Sequence, residues 1–271
     1  MNSKLLSILM VNYNGEAYLK KGISSIINTC QNIDYEIIIV DNHSQDNSLS
    51  LIEKQFPEIV LIKNKQNAGF AAANNLGATK AQGEYLLLLN NDTILLNNLQ
   101  AALDVLKKDL SIGLIGIQML DKNHNYRQSA GYFPSPLRLL KLKSLMRHSQ
   151  GFKEGKFDAR QRIWPVDWVE GSFMLTRRAL WRELNGMDAS FFMYLEDIDL
   201  CKRLNEIGKK TVYLPELQYI HFGGFNAQRN KLLKMGLIKY VNKHFTGLKK
   251  WISRLNIELN FFIKNYVKKS V

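Results

Sequence analysis

The chain has 271 residues, of which 46% are hydrophobic and 23% are charged, so it can bury a full globular core. Its two cysteines, Cys30 and Cys201, are far apart and lack metal-ligand spacing, which argues against a disulfide framework and favours a reducing compartment. The N-terminal apolar run 5–11 has no cleavage site of the signal-peptide kind, and no run is long enough to span a bilayer. We therefore expect a cytoplasmic protein.

The net charge of +13 is concentrated in two segments. Residues 230–271 contain ten Lys or Arg and one acidic residue, Glu258, and residues 137–162 contain eight Lys or Arg and two acidic residues. The rest of the chain is almost neutral. Basic segments of this kind suit anionic lipid, a lipid diphosphate or nucleic acid.

The first half of the chain alternates short apolar runs with helical patterns. Runs such as EIIIV and YLLLL have no polar side, which is typical of strands buried on both faces of a parallel sheet. The alternation predicts a doubly wound α/β sheet, in which ligands bind beyond the carboxyl ends of the strands. The predicted strands are 5–12, 35–41, 59–63, 85–90 and 112–117, and the predicted helices lie near 16–28, 46–55, 70–81 and 97–109.

Polar residues follow several of these strands. Asp41 ends the second strand, where it either forms a turn and helix cap or accepts hydrogen bonds from a nucleobase or ribose. Asp92 follows the fourth, and because an uncompensated buried carboxylate is costly, it must face solvent, a ligand or a cation. Gly69 precedes small residues at a helix start, which permits either phosphate binding or plain packing of alanines on the sheet.

The second half is less regular. Residues 120–166 are basic and contain Pro134 and Pro136, which predicts a long surface segment, with a lid as one interpretation. Glu196, Asp197 and Asp199 begin a helical pattern and either complement its dipole or shift one another's pKa values, as a general base requires. His221 is either structural or a nitrogen ligand that favours Mn²⁺ over Mg²⁺.

The basic tail has apolar residues at helical spacing. Residues 230–245 fit helices that dock on the rest of the protein with solvated lysines. For 248–271 we expect an amphipathic helix on an anionic membrane, with Trp251, Phe261 and Phe262 as aromatic surface at the headgroup boundary.

Several motifs occur in a specific order: VNYNG, VDNHSQDNS, NAGFAAANN, LLLNNDT, the segment 168–173, YLEDIDL and HFGG. Together they resemble family 2 glycosyltransferases, closest to the bacterial rhamnosyltransferase-like branch that builds surface polysaccharides. The resemblance covers roughly residues 5–224. It implies a GT-A fold with a mostly parallel central sheet, a catalytic domain at 1–225 that contains the lid-like segment, and a basic helical extension at 226–271.

The resemblance also implies roles for individual residues. Asp197 matches the catalytic base, and Asp92 and His221 match the ligands of Mn²⁺ or Mg²⁺. One departure is that Asn90 stands where the metal-binding D-x-D pattern has its first Asp, and the loss of an anionic ligand should weaken metal binding. The implied substrate-binding set is Asn12, Tyr13, Asp41, Asn67, Gly69, Asn74, Asn90, Trp168 and Glu196.

The predicted reaction is therefore an inverting sugar transfer from a nucleoside-diphosphate donor, dTDP-rhamnose first and a UDP-hexose second, to a saccharide or lipid-linked acceptor. A peripheral position on the inner face of the cell membrane would bring the enzyme to that acceptor. One alternative, a sugar-phosphate nucleotidyltransferase, would need basic residues in the loop VNYNGEAYL, which has none. The other, a nucleic-acid-binding protein, would need basic residues interleaved with exposed aromatics on the sheet. The basic residues instead lie outside the polar clusters at the strand ends, so we expect no nucleic acid partner. The oligomeric state stays open.

Overall fold

The computed structural model describes residues 4–147, 149–223 and 229–266. Gly224 of the HFGG motif and residues 267–271 of the predicted membrane helix lie outside this range. The strands are β1 (Leu6–Asn12), β2 (Tyr35–Asp41), β3 (Val60–Lys63), β4 (Tyr85–Leu89), β5 (Thr93–Leu95), β6 (Ile112–Leu120), β7 (Tyr126–Arg127), β8 (Ala130–Gly131), β9 (Trp164–Val166), β10 (Trp168–Val169), β11 (Phe173–Arg177) and β12 (Lys210–His221).

Helices connect most of the strands of the first half and form the C-terminal part of the described chain. They are α1 (Glu16–Thr29), α2 (Ser48–Gln55), α3 (Phe70–Ala78), α4 (Gln100–Lys108), α5 (Pro136–Leu140), α6 (Gln150–Glu154), α7 (Arg178–Glu183), α8 (Glu196–Glu206), α9 (Arg229–His244) and α10 (Gly247–Tyr266), with a 3-10 turn at Leu142–Leu145.

The main sheet runs in the order β3-β2-β1-β4-β11-β6-β12-β5. Four of these seven pairings are parallel: β3-β2, β2-β1, β1-β4 and β6-β12. Strand β11 inserts antiparallel between β4 and β6, and β5 pairs antiparallel with β12. The predicted α/β fold with a mostly parallel central sheet is confirmed, and the strands of the second half complete it.

Both faces of the sheet are covered, as the unbroken apolar strands require. Along β1, Leu6, Ile8 and Met10 face the core formed with α1 and α4, whereas Leu9 faces the core formed with α3, α8 and the C-terminal helices. The C-terminal helices therefore share a core with the sheet rather than form a separate one. The boundary at 225/226 stays a prediction.

The basic segment 120–166 is more compact than predicted. Leu139 and Phe152 are fully buried in the same core as α8, and the Phe152 ring lies 5.8 Å from that of Trp164. The expectation of a plain surface segment is wrong, because apolar residues between the lysines and arginines pack inward. Whether any part of it closes as a lid stays a prediction.

The tail is helical, but α10 is not free of the protein. Ser253, Ile257 and Phe261 are buried, so the assignment of Phe261 to an exposed aromatic surface is wrong. Trp251 and Phe262 are exposed, as predicted. Among the described helices, none is both long enough and apolar enough to cross a membrane.

Candidate active site

Four polar side chains form a closed hydrogen-bond network at the carboxyl ends of β1 and β2, which we call the Asp41 network: Asn12, Asp41, Ser44 and Asn91. The parallel register places Asn12 beside Asp41. Asn12 Nδ2 donates to Asp41 Oδ1 at 2.7 Å, and Ser44 donates to the same carboxylate from its backbone N at 2.9 Å and its Oγ at 2.5 Å. Asn91 Nδ2 donates to Asn12 Oδ1 at 2.8 Å and so ties β1 to the loop before β5.

The network leaves little of itself accessible. Asn12 is fully buried and Asp41 is 1% exposed, so the hydrogen bonds of Asp41 go to the protein itself. Tyr13, the next residue along from Asn12, is half exposed. The contacts therefore enclose Asp41 and Asn12, whereas the Tyr13 side chain is accessible.

The backbone at Gly69 is approached closely, but by another part of the protein rather than by a phosphate. Its φ is +84°, and a Cβ there would lie 2.4 Å from the carbonyl oxygen of Phe192. Its N–H donates to Asn67 Oδ1 at 3.0 Å, and the N–H of Phe70 donates to the same Phe192 carbonyl at 2.9 Å. Of the two interpretations of this stretch, packing is the one the described contacts support, because these two amides at the start of α3 are already bonded.

Two predicted substrate-binding residues, Asn74 and Trp168, are enclosed by the protein. Asn74 is buried on α3, and its Nδ2 donates to the carbonyl of Phe70 at 3.0 Å. The Trp168 indole is 7% exposed, and its Nε1 donates to the carbonyl of Tyr132 at 2.9 Å. Because both side chains are enclosed and have polar partners, the structure gives them packing roles.

Asp92 and His221 lie together, although they are far apart in sequence. The antiparallel pairing of β5 with β12 sets His221 opposite Thr93, the neighbour of Asp92. His221 Nε2 lies 3.2 Å from Asp92 Oδ1 and 3.4 Å from Asn90 Nδ2. Burial lowers the pKa of His221, but the hydrogen bond and charge of Asp92, together with the charge of Glu170, outweigh this and raise it overall.

Asp92 and His221 supply two of the several ligands that a divalent cation needs. Among residues 4–147, 149–223 and 229–266, no three His, Cys, Asp or Glu side chains come close enough together to hold a metal ion by themselves. A cation that binds with a diphosphate needs only one or two protein ligands, because phosphate oxygens supply others. One carboxylate and one imidazole fit a cation that arrives with a nucleotide.

Glu170 is a site residue that the sequence analysis missed. Its Oε1 lies 3.8 Å from Nδ1 of His221, which also has Met119 Sδ at 3.4 Å, whereas Asp92 faces Nε2. Burial raises the pKa of Glu170, His221 lowers it in part, and the charges of Asp197 and Asp92 raise it further. Glu170 therefore lies within electrostatic range of both the predicted base and the predicted metal ligand.

The Asp197 carboxylate is fixed by backbone hydrogen bonds but stays partly accessible. Its Oδ2 accepts from the N–H of Gly171 at 3.0 Å, and its Oδ1 accepts from the N–H of Ile198 at 2.8 Å. Burial raises the pKa of Asp197, although these two backbone hydrogen bonds lower it in part. The residue is only partly buried, so a ligand can reach it. We call Asp92, Glu170, Asp197 and His221 the carboxylate–histidine cluster.

The two neighbouring acids differ from Asp197. Glu196 is 5% exposed with its Oε2 unpartnered, and burial, followed by the charge of Asp197, raises its pKa well above the usual value. Asp199 is fully buried and pairs with Arg203, Lys243 and His244, each at 2.8 Å. Asp199 therefore anchors α9 to α8, and Asp197 is the acid of this group that faces accessible space.

The turn before α8 is strained. Tyr194 and Leu195 have φ angles of +70° and +73°, a left-handed conformation that is unfavourable for residues with large side chains. Helix α9 lies against this turn, since a Cβ at Gly236 would meet the Tyr194 carbonyl oxygen at 2.7 Å. The strain sits beside the predicted base, where backbone strain often accompanies function.

Arg229 is a second residue that the sequence analysis missed. It begins α9, is exposed, and its charge lowers the pKa values of Glu170 and Tyr194. A cation therefore faces the carboxylate–histidine cluster from the C-terminal helices. Nothing in the sequence distinguishes Arg229 from the other basic residues of the tail, so no signal was available to find it.

The fold matches solved glycosyltransferase structures of the GT-A type. The crystal structure of GalNAc-T7 with UDP, GalNAc and Mn²⁺ superposes with a TM-score of 0.66 at 15% identity. The match covers 98% of this chain and 57% of that one, so this chain spans little more than half of that protein. Identity at this level supports the fold class alone.

Sequence comparison defines the family. The family described as glycosyl transferase family 2 matches residues 7–198, and the chain belongs to it. An N-acetylglucosaminyl-diphospho-decaprenol L-rhamnosyltransferase of Mycobacterium tuberculosis is 23% identical over 244 residues, which is 83% of this chain and 78% of the relative. The rhamnosyltransferase WbbL of Escherichia coli is 27% identical over 233 residues, 80% of this chain and 83% of the relative. The resemblance inferred from the ordered motifs is confirmed.

Proposed function

We propose that this glycosyltransferase moves a sugar from a nucleoside-diphosphate donor to an acceptor hydroxyl with inversion at the anomeric carbon. The observation that supports this most is Asp197, a partly accessible carboxylate with a raised pKa at the same edge as Asp92 and His221. Asp197 takes the proton of the acceptor hydroxyl. The acceptor oxygen then bonds to the anomeric carbon while the bond from that carbon to the diphosphate oxygen breaks.

Asp92 and His221 are the residues that would hold Mn²⁺ or Mg²⁺, with the Asn90 amide beside them. The bound cation would neutralise charge on the departing diphosphate. We further propose that Glu170 supplies the negative charge that Asn90 lacks. Its carboxylate lies on the Nδ1 side of His221, where it favours the ring orientation in which Nε2 faces the diphosphate.

The Asp41 network would shape the nucleotide pocket, with Tyr13 against the base. For the donor we propose dTDP-rhamnose first and a UDP-hexose second, because two relatives over most of the chain are rhamnosyltransferases. For the acceptor we propose a saccharide or lipid-linked saccharide, since the first of these relatives has a diphospho-decaprenol substrate in its name. We also propose that residues 1–225 form the catalytic domain, that 226–271 form a basic extension, and that the enzyme acts at the inner face of the membrane.

A panel of nucleotide sugars tests the donor. Wild-type protein should release nucleoside diphosphate from one donor, with dTDP-rhamnose giving the fastest turnover, and NMR of the product should reveal an inverted anomeric centre. Asp197→Asn, treated identically, corrects for contaminating hydrolases. A retained configuration would contradict the direct-displacement mechanism, and preferred turnover of another donor would replace dTDP-rhamnose.

A further inference from the structure

Exposed apolar residues are concentrated on two helices that are remote from each other in sequence. The described residues include sixteen large hydrophobic side chains that are exposed, and eight of these lie on α5 and α10. Leu137 is 83% exposed and Trp251 is 63% exposed. Scattered exposed apolar residues need no explanation, but a contiguous group of them indicates an interaction site.

The two helices lie side by side. Asn256 Nδ2 donates to the carbonyl of Pro136, and Asn260 Nδ2 donates to the carbonyl of Leu140, both at 2.8 Å. The opposite side of α10 is buried against the protein through Ile257. Helix α10 is therefore fixed in rotation, and the side that it turns outward continues onto α5.

The outward side of α10 has the spacing of a single stripe. Trp251, Leu255, Leu259 and Ile263 follow one another at intervals of four residues and are all exposed. On α5, Leu137 and Leu140 are three residues apart and are also exposed. These six side chains define what we call the α5–α10 face.

The charge around this face has one sign. Lys141 and Lys143 follow α5, Arg254 lies on α10, and all three are exposed with no ion pair to any residue that the structure describes. The acidic residue of α10, Glu258, is paired with Lys234 at 2.6 Å. Apolar and aromatic side chains bordered by unpaired cations match the boundary between the acyl chains and headgroups of an anionic leaflet.

We propose that the α5–α10 face is a two-helix docking surface for an anionic lipid bilayer. It goes beyond the amphipathic tail expected from the sequence, because two of the six side chains that define the surface belong to the segment 120–166. A second copy of the chain fits this face poorly, since self-association about a two-fold axis would bring the same unpaired cations together. This inference deepens the proposed action on a lipid-linked acceptor.

Flotation of the full chain with vesicles tests the proposal without any sugar substrate. Neutral phosphatidylcholine vesicles are compared with vesicles that contain phosphatidylglycerol, at low and high salt. Wild-type protein should bind the anionic vesicles, and binding should weaken in salt and be weak on neutral vesicles. Leu255→Gln, on α10, and Leu137→Gln, on α5, should each weaken binding about tenfold, because each removes a leucine that the bilayer would bury. Leu110→Gln changes a leucine that is 68% exposed outside both helices, and it should bind like wild type.

Each alternative outcome overturns a part of the proposal. Wild-type binding by Leu137→Gln with weak binding by Leu255→Gln would remove α5 from the surface. Equal binding to neutral and anionic vesicles would remove the lipid-charge requirement. Absence of vesicle binding, with a dimer in sedimentation that Leu255→Gln dissociates, would make the face an interface between copies. Donor hydrolysis is measured on the same variants, and its failure in wild type would count against the proposed transfer reaction, not against docking.

Discussion

The Asp41 network and the carboxylate–histidine cluster lie at the same edge of the sheet but are built on opposite physical principles. In the Asp41 network, the carboxylate accepts three hydrogen bonds from short neutral side chains and the backbone. In the cluster, Glu170 lies within electrostatic range of two other carboxylates and a histidine, and the pKa values of Glu170, Asp197 and His221 are raised. The first arrangement holds a shape, whereas the second holds groups that exchange protons or bind a cation.

Asn91 joins the two regions. Its side chain bonds to Asn12, whereas its neighbours Asn90 and Asp92 lie beside His221. A change in one region is therefore expected to reach the other only through this short loop. If the division is correct, substitutions in the network will affect stability and nucleotide affinity, and substitutions in the cluster will affect turnover and metal affinity.

The largest effect is expected at Asp197. Asp197→Asn keeps the shape but removes the basic carboxylate, so turnover should fall on the order of 10²–10⁴-fold while nucleotide affinity is retained. Steady-state kinetics and calorimetric titration of the nucleoside diphosphate measure the two quantities. Asp158→Asn, which alters an exposed ion pair with Arg160 outside the cluster, is the matched control and should keep its turnover. Near wild-type turnover in Asp197→Asn would assign the base to another group.

A smaller effect is expected at Glu170. Glu170→Gln should weaken Mn²⁺ binding about tenfold or more, because His221 loses the carboxylate on its Nδ1 side. Restoring the first Asp of the motif, as Asn90→Asp in the Glu170→Gln chain, should recover most of the affinity. Electron paramagnetic resonance of free Mn²⁺, with nucleoside diphosphate present, measures this independently of activity. The surface substitution Glu154→Gln is the control. Unchanged Mn²⁺ affinity in Glu170→Gln would contradict the proposal that Glu170 supplies the negative charge that Asn90 lacks.

In the network, Asp41→Asn tests rigidity. The amide nitrogen would face the donors of Asn12 and Ser44, so the free energy of unfolding should fall by about 1–3 kcal/mol. Nucleotide affinity should fall with it, while turnover at saturating donor changes little. Urea denaturation gives the first quantity. Asp34→Asn alters an exposed ion pair with Lys4 and should change stability by less than about 1 kcal/mol. A large loss of turnover in Asp41→Asn would break the division between the two regions.

The smallest effect is expected at Glu196. Because the pKa of Asp197 is raised, the loss of turnover on acidification should begin at a higher pH than the ordinary carboxyl pKa near 4 would give. The titrations of Glu196 and Asp197 interact, so Glu196→Gln should simplify this acid limb to one proton. Turnover at neutral pH should stay within about threefold, since a protonated glutamate and a glutamine are close in shape. Loss of turnover at every pH, without loss of folding, would make Glu196 the base.

The first half of the fold was predictable because buried parallel strands have unbroken apolar sequences. Strand β2 was predicted with its observed bounds, and Asp41 therefore falls at the correct edge. Glu170 was not predictable in the same way. It is one acidic residue in the short connection between β10 and β11, and its importance comes from β12 bringing His221 to it. The role of Gly69 likewise depends on Phe192, a contact that no local pattern reports.

The contact between Gly236 and the turn at Tyr194 has a consequence for protein engineering. The family match ends at residue 198, yet the strained turn that precedes Asp197 is supported by α9, which begins at Arg229. A module excised at the family boundary would lack both His221 and this brace, and one that ends just after the HFGG motif would carry every motif and still lack the brace. Chimeras of such enzymes are therefore better joined after residue 244 than near 198, so that the catalytic part keeps its own α9 against the turn before Asp197.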